Sequence, residues 1–145
     1  MKAAASDAWE SMYRAQVSIM RDLRNAFTNV GMTMNEYDVM NIVHDAREHR
    51  IRMRELNANV LITQSSVSRL VDRLVARGLM SKHEDGMDAR GTIVALTDKG
   101  VQAFNKANAI HEQNIRLRME GSLTRDDLNT LTKLSRQLLR KDSSN

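Results

Sequence analysis

Cysteine is absent from the 145-residue chain, which excludes disulfides, thiolate metal sites and thiol-based redox sensing. Proline is absent as well, which suits a mostly helical chain. No apolar run approaches the roughly 18 residues that a membrane-spanning helix needs, and the N-terminus lacks the apolar stretch of a signal peptide. A soluble cytoplasmic protein with no membrane partner is therefore expected. Catalytic signatures are missing too: there is no Gly-rich phosphate loop, no nucleophile elbow and no cluster of histidines with carboxylates. Ser65, Ser66 and Ser68 have no nearby histidine to activate them. The sequence predicts no enzyme and no cofactor.

What is present is enough for a core, since 41% of residues are hydrophobic, and the length is that of a single domain spanning 1–145. The formal charge of +4 permits an acidic partner without demanding one. Its distribution says more. The first 46 residues are net acidic, whereas Arg47, Arg50, Arg52, Arg54, Arg69, Arg73, Arg77, Lys82 and Arg90 make the middle of the chain basic.

Helical periodicity dominates the pattern. A first helix is expected over residues 6–29, capped by Ser6 or Asp7, with Trp9, Met12, Tyr13, Gln16, Ile19, Met20, Leu23 and Phe27 on one stripe and Gly31 ending it. A second opens at Thr33 or Asn35 and fades into 45–50, which reads as a solvated turn. A short third helix covers 53–59. Thr63 can cap a fourth, which Gly78 closes. The period then changes to that of strands over 79–83 and 92–96, with 84–91 between them too polar to bury. Thr97 caps a long helix over 98–119, and a last helix runs over 123–139 after Gly121. The expected fold class is mostly α with a small β-wing: a winged helix-turn-helix module at 34–96 and a helical region at 6–29 and 98–139. The outer helices carry more apolar positions than so small a module can cover. They either fold on themselves or, as expected here, pack against a second copy in a homodimer.

The fourth helix is the candidate functional element. Val67, Leu70, Val71 and Leu74 recur at i, i+3, i+4 and i+7 and bury together. Gln64, Ser65, Ser66, Ser68, Arg69 and Arg73 remain for the polar positions, with donors and acceptors suited to base edges and phosphates. Thr63 sits where helix N-terminal amides can face a phosphate. Taken alone, this helix is also compatible with an ordinary solvated surface. The strand pair that follows favours a reader of double-stranded DNA, because its loop carries Asp88 and Arg90. These are close enough in a tight turn to pair, and Arg90 alternatively suits the minor groove.

The chain resembles the MarR family of dimeric winged helix-turn-helix transcriptional regulators. The resemblance lies in Met53-Arg54-Glu55-Leu56, the segment from Thr63 to Leu74, Arg77-Gly78-Leu79, Asp88-Ala89-Arg90 and Leu96-Thr97-Asp98-Lys99-Gly100, in matching order and spacing. It implies a dimer joined through the first and last helices. It also implies that the face from Gln64 to Arg73 enters the major groove, and that Arg90, steadied by Asp88, enters the minor groove. A repressor of a palindromic operator is the expected role. Three positions depart from the family pattern. Leu61 replaces a frequent glycine in the turn, Asn57 a small alanine at a crowded position where an amide needs a partner, and Ala89 a second wing arginine.

Relatives of this type often release DNA on binding a small aromatic or phenolic effector between the dimerisation helices and the reading module. Trp9, Tyr13, Tyr37, Met40 and His44 are the candidate lining residues, with Arg14 as a carboxylate partner. Each is equally an apolar-stripe or surface residue. No metal site is expected from His44, His49, His83 and His111, because none has a second histidine at i+3 or i+4. The alternatives to a ligand-responsive DNA reader are a winged module that binds protein and a metal-responsive regulator.

Overall fold

A computed structural model gives the architecture. It describes residues 1, 3–60, 64–86 and 88–139, and for residues 64 and 88–90 the backbone alone. The α-helices are α1 (Ala4–Ala26), α2 (Met34–Asp45), α3 (Met53–Asn59), α4 (Gln64–Ala76), α5 (Asp98–Glu120) and α6 (Arg125–Leu138). The strands β1 (Arg50–Arg52), β2 (Met80–Asp85) and β3 (Asp88–Leu96) form one antiparallel sheet in the order β1-β3-β2. The expected class, mostly helical with a small β-wing, is the observed one.

The core gathers where the stripes meet. Leu23 and Phe27 of the α1 end, Tyr37, Val39, Met40 and Val43 of α2, Leu56 of α3, and Val67, Leu70, Val71 and Leu74 of α4 are all buried. Met80, Val94 and Leu96 join them from the sheet, and Phe104 and Ala107 from α5. The four α4 positions picked out by spacing are thus core positions.

Local chemistry accounts for most of the boundaries. Thr33 accepts from the Glu36 amide, Thr97 from the Gly100 amide, and Thr124 forms a reciprocal capping box with Asp127. Gly78 takes φ 75°, and the Leu79 amide reaches back to the Leu74 carbonyl at 2.9 Å, a left-handed helix stop that favours glycine.

Four expectations need correction. The first helix begins at Ala4 with Ala3 as its cap, and neither Ser6 nor Asp7 caps it; it ends at Ala26 rather than Asn29. Residues 45–50 are not merely a solvated turn. A 3₁₀ turn over Arg47–His49 delivers the chain into β1, whose Arg50, Ile51 and Arg52 pair with Ala95, Val94 and Ile93. Glu48 and His49 there take φ 57° and 54°, while His49 Nδ1 donates to the His44 carbonyl at 2.7 Å and the two rings stack. The hairpin strands are also longer than expected, reaching Asp85 and starting again at Asp88. Finally, the segment 84–91, expected to be too polar to bury, has one buried residue among those described, Asp85. Asp85 is buried and pairs with Arg52 Nε at 2.9 Å, so a charge partner from a distant strand offsets its loss of water.

The outer helices leave apolar surface uncovered. Trp9, Met12 and Tyr13 of α1, Leu117 of α5, and Leu131, Leu134 and Leu138 of α6 are exposed, and α6 buries no residue within the chain. No helix among the described residues is long and apolar enough to cross a membrane.

Candidate nucleic-acid interface

With Val67, Leu70, Val71 and Leu74 turned into the core, Ser65, Ser68, Arg69, Asp72 and Arg73 are left exposed on α4, and Ser66 is half-buried. The 3.6-residue period separates the two sets. Asp72 is an acid on this otherwise basic and neutral surface, and its carboxylate takes a 2.7 Å bond from Lys82 Nζ on β2. Sequence reasoning left this pair unmentioned. It neutralises the helix's one exposed carboxylate and ties the helix to the wing. Gln64 is the first residue of α4, while Thr63 and Leu61 lie outside the described residues.

The wing is β2 and β3 with the turn between them. Asp88, Ala89 and Arg90 belong to β3 rather than to a loop, with Asp85 opposite Asp88 across an irregular register. The Arg52–Asp85 pair then joins β1 to the wing near its tip. No sequence signal pointed to that pair, since thirty-odd residues separate its members. Asn57, the amide expected to need a partner, has its Oδ1 buried without one among the described residues.

The six effector-pocket candidates are not brought together. Trp9 and Tyr13 stack on each other at 5.8 Å on exposed α1 surface, and Arg14 is held by Glu10 at 3.0 Å. Tyr37 and Met40 are core residues. The Tyr37 hydroxyl donates to Asn108 Oδ1 at 2.7 Å, and its pKa is pushed up to about 12, chiefly by burial and secondarily by Glu112, Asp38 and Asp45. His44 packs on Phe104 and His49. None of the six lines the large apolar groove of about 780 Å³ between α1, α2, α5 and α6, whose walls include Met12, Met20, Met34, Ile115 and Leu134. Asp38 and His111 are polar groups on that groove. Partial desolvation raises the Asp38 carboxyl, and His111 pulls it the other way. Along α2, Met34 and Asp38 face the groove while Tyr37 and Met40 face the core. Among the described residues, no group of three or more histidines, cysteines or carboxylates is placed to hold a metal ion.

Residues 30–91, from just before α2 to the fourth residue of β3, match the MarR family model. Over those residues the chain is similar to the MarR family. Among curated proteins it is 21% identical over 98 residues to the HTH-type transcriptional repressor YetL of Bacillus subtilis, a match covering 68% of this chain and 59% of YetL. The chain thus spans well under two thirds of that relative's length. Among solved structures it superposes with a TM-score of 0.88 and 22% identity on Sco3205, a MarR family transcriptional regulator from Streptomyces coelicolor in complex with DNA. That match covers 100% of this chain and 95% of Sco3205. The organohalide-sensing regulator RdhR-CbdbA1625 in its 2,4-dichlorophenol-bound form gives a TM-score of 0.81 at 19% identity, covering 95% of this chain and 80% of that one. Within the MarR fold, α3 and α4 are the helix-turn-helix and β2 and β3 the wing. The likeness shows a winged helix-turn-helix fold.

Proposed function

We propose that two copies of this MarR-like chain form a homodimer that reads a palindromic duplex and represses transcription from it. The observation that carries the reading is the division of α4. Its apolar side is locked in the core, and its outer side offers Ser65, Ser68, Arg69 and Arg73 with the Asp72 charge already neutralised. In this assignment Thr63, Gln64, Ser65, Ser66, Ser68, Arg69 and Arg73 meet the major groove, and Arg90, steadied by Asp88, meets the minor groove. Homodimerisation through 6–29 and 98–139 is supported by the exposed apolar side chains of α1, α5 and α6, which no element among the described residues covers.

Selection from a random duplex library tests the reading. A palindromic consensus is expected, with binding that falls steeply as salt rises. Arg69→Ala should cost about 1–3 kcal/mol and relax one position of the consensus, whereas Arg90→Ala should weaken all duplexes and flatten the salt slope by about one. A folded dimer with no preference for any duplex would sink the proposal and favour a protein-binding module.

A phenolic effector is the proposed release signal, and the groove between the outer helices and α2 is its proposed seat. Support comes from the groove's apolar walls and from the dichlorophenol-bound state of RdhR-CbdbA1625. Adding 2,4-dichlorophenol to the selected duplex complex should release DNA, and Met34→Trp should abolish that release by filling the groove. Unchanged DNA binding at saturating phenol would remove this part of the proposal.

A further inference from the structure

The C-terminal end of the reading helix is tied to the outer helices at one node. Arg77 is the first residue after α4, and its guanidinium makes two bonds in different directions. One nitrogen donates to Glu36 Oε2 at 2.8 Å, the other to the Gly31 carbonyl at 2.7 Å. Glu36 is a buried carboxylate in the first turn of α2, and Gly31 lies in the corner between α1 and α2 with φ 76°. The backbone of the same node is held from the other side, because Lys99 Nζ donates to the Arg77 carbonyl at 3.1 Å and Thr97 Oγ1 to the Gly78 carbonyl at 2.6 Å. The end of α4 is therefore fixed to the α1–α2 corner by a side chain and to the start of α5 by its carbonyls.

We infer that Arg77 is a positioning residue for DNA reading, setting the angle of α4 against the outer helices through Glu36 and Gly31 without itself contacting DNA. The inference rests on the DNA-reading assignment of α4. Its physical basis is that base contacts need a fixed helix orientation, whereas non-specific phosphate attraction tolerates a loose one. A planar guanidinium can satisfy a carboxylate and a carbonyl in fixed directions at once, and an ammonium point charge reproduces only part of that geometry. Glu36 is buried beneath the node, so it acts on DNA only through Arg77. This separates positioning from direct contact. Weakening Glu36 loosens α4 if Arg77 positions it, but releases a cation towards phosphate if Arg77 binds DNA.

The test compares wild type, Glu36→Gln and Arg77→Lys, both conservative enough to keep the core polar groups bonded. The duplex selected by the wild type and a scrambled duplex of equal length serve as probes. Light scattering gives the oligomeric state, and binding is measured well below the melting temperature of each variant. Both variants should lose specificity, the ratio of selected to scrambled affinity falling by roughly tenfold, about the effect of one lost base contact. Scrambled affinity and salt slope should stay at the wild-type values. Tighter scrambled binding by Glu36→Gln with a steeper salt slope would overturn the inference in favour of a phosphate contact. An unchanged ratio in both variants would overturn it as well. Should wild type itself prefer no duplex, the DNA reading falls, and this inference with it; failure of the variants alone leaves that reading standing.

Discussion

Gly100→Ala in the first turn of α5 separates two opposing physical expectations. By helix propensity the change should help, since alanine is favoured over glycine in a helix by about 1 kcal/mol. The tertiary structure reverses the sign. A Cβ at residue 100 would lie 1.9 Å from the Leu79 carbonyl oxygen and 2.9 Å from its carbon. The obstacle is backbone, so no rotamer change relieves it. That same oxygen accepts the Thr97 amide at 3.1 Å, and the Gly100 amide donates to Thr97 Oγ1 at 3.0 Å. Moving α5 away therefore strains the cap and the junction with the wing together. Overpacking costs about 1–3 kcal/mol, here at the upper end, and a weakened hydrogen bond adds about 1 kcal/mol. Set against the propensity gain, the net loss is roughly 2–3 kcal/mol. At about 3 °C per kcal/mol for a chain of this size, the melting temperature should fall by roughly 6–9 °C. Circular dichroism melts at matched protein concentration measure it, matched because association shifts the midpoint. A melting temperature equal to or above that of wild type would refute the close-packing account of Gly100.

Other perturbations test other parts of the structure. Leu74→Ala removes a fully buried side chain beneath the reading helix and should lower stability by about 2–5 kcal/mol in urea unfolding, and a loss under 1 kcal/mol would contradict its core placement. Tyr37, with its ionisation pushed up to about 12 from an ordinary value of 10.0, keeps its proton longer in the folded chain than in the unfolded one. Stability is thus intact below pH 10 and declines as pH rises towards 12; phenolate absorbance should show Tyr37 titrating near pH 12 or with unfolding, and a midpoint near 10 in the folded protein would disprove its burial. Lys82→Ala should change stability by less than about 1 kcal/mol, because its pair with Asp72 is exposed. It should nevertheless weaken binding to every duplex by uncovering the Asp72 charge on the reading face; unaltered affinity in gel-shift titrations would show that Asp72 faces away from DNA.

Some elements were legible because their signal is local. The α4 stripe, the cap at Thr97 and the glycine stop at residue 78 each depend on residues within one or two turns. β1 was not legible: three residues reading Arg-Ile-Arg carry too little alternation, and pairing with β3 some 40 residues later makes them a strand. The same holds for Asp85, whose buried charge Arg52 helps to offset. The effector candidates were chosen for aromatic character along stripes. Which face of α2 meets the groove is set by how α2 packs on α5, so Met34 and Asp38 line it and Tyr37 and Met40 do not.

The order of the six helices and the two wing strands, the family resemblance and the division of α4 into apolar and polar sides came from the sequence by itself, because period and spacing are written locally. Tertiary structure alone decided which charges meet. Arg77 with Glu36 and Gly31, Arg52 with Asp85, and Lys82 with Asp72 are joined across distances that folding closes and that no local pattern records. The reason is physical. A helix or turn satisfies its own backbone within a few residues, whereas a buried charge is compensated by whichever partner packing brings to it.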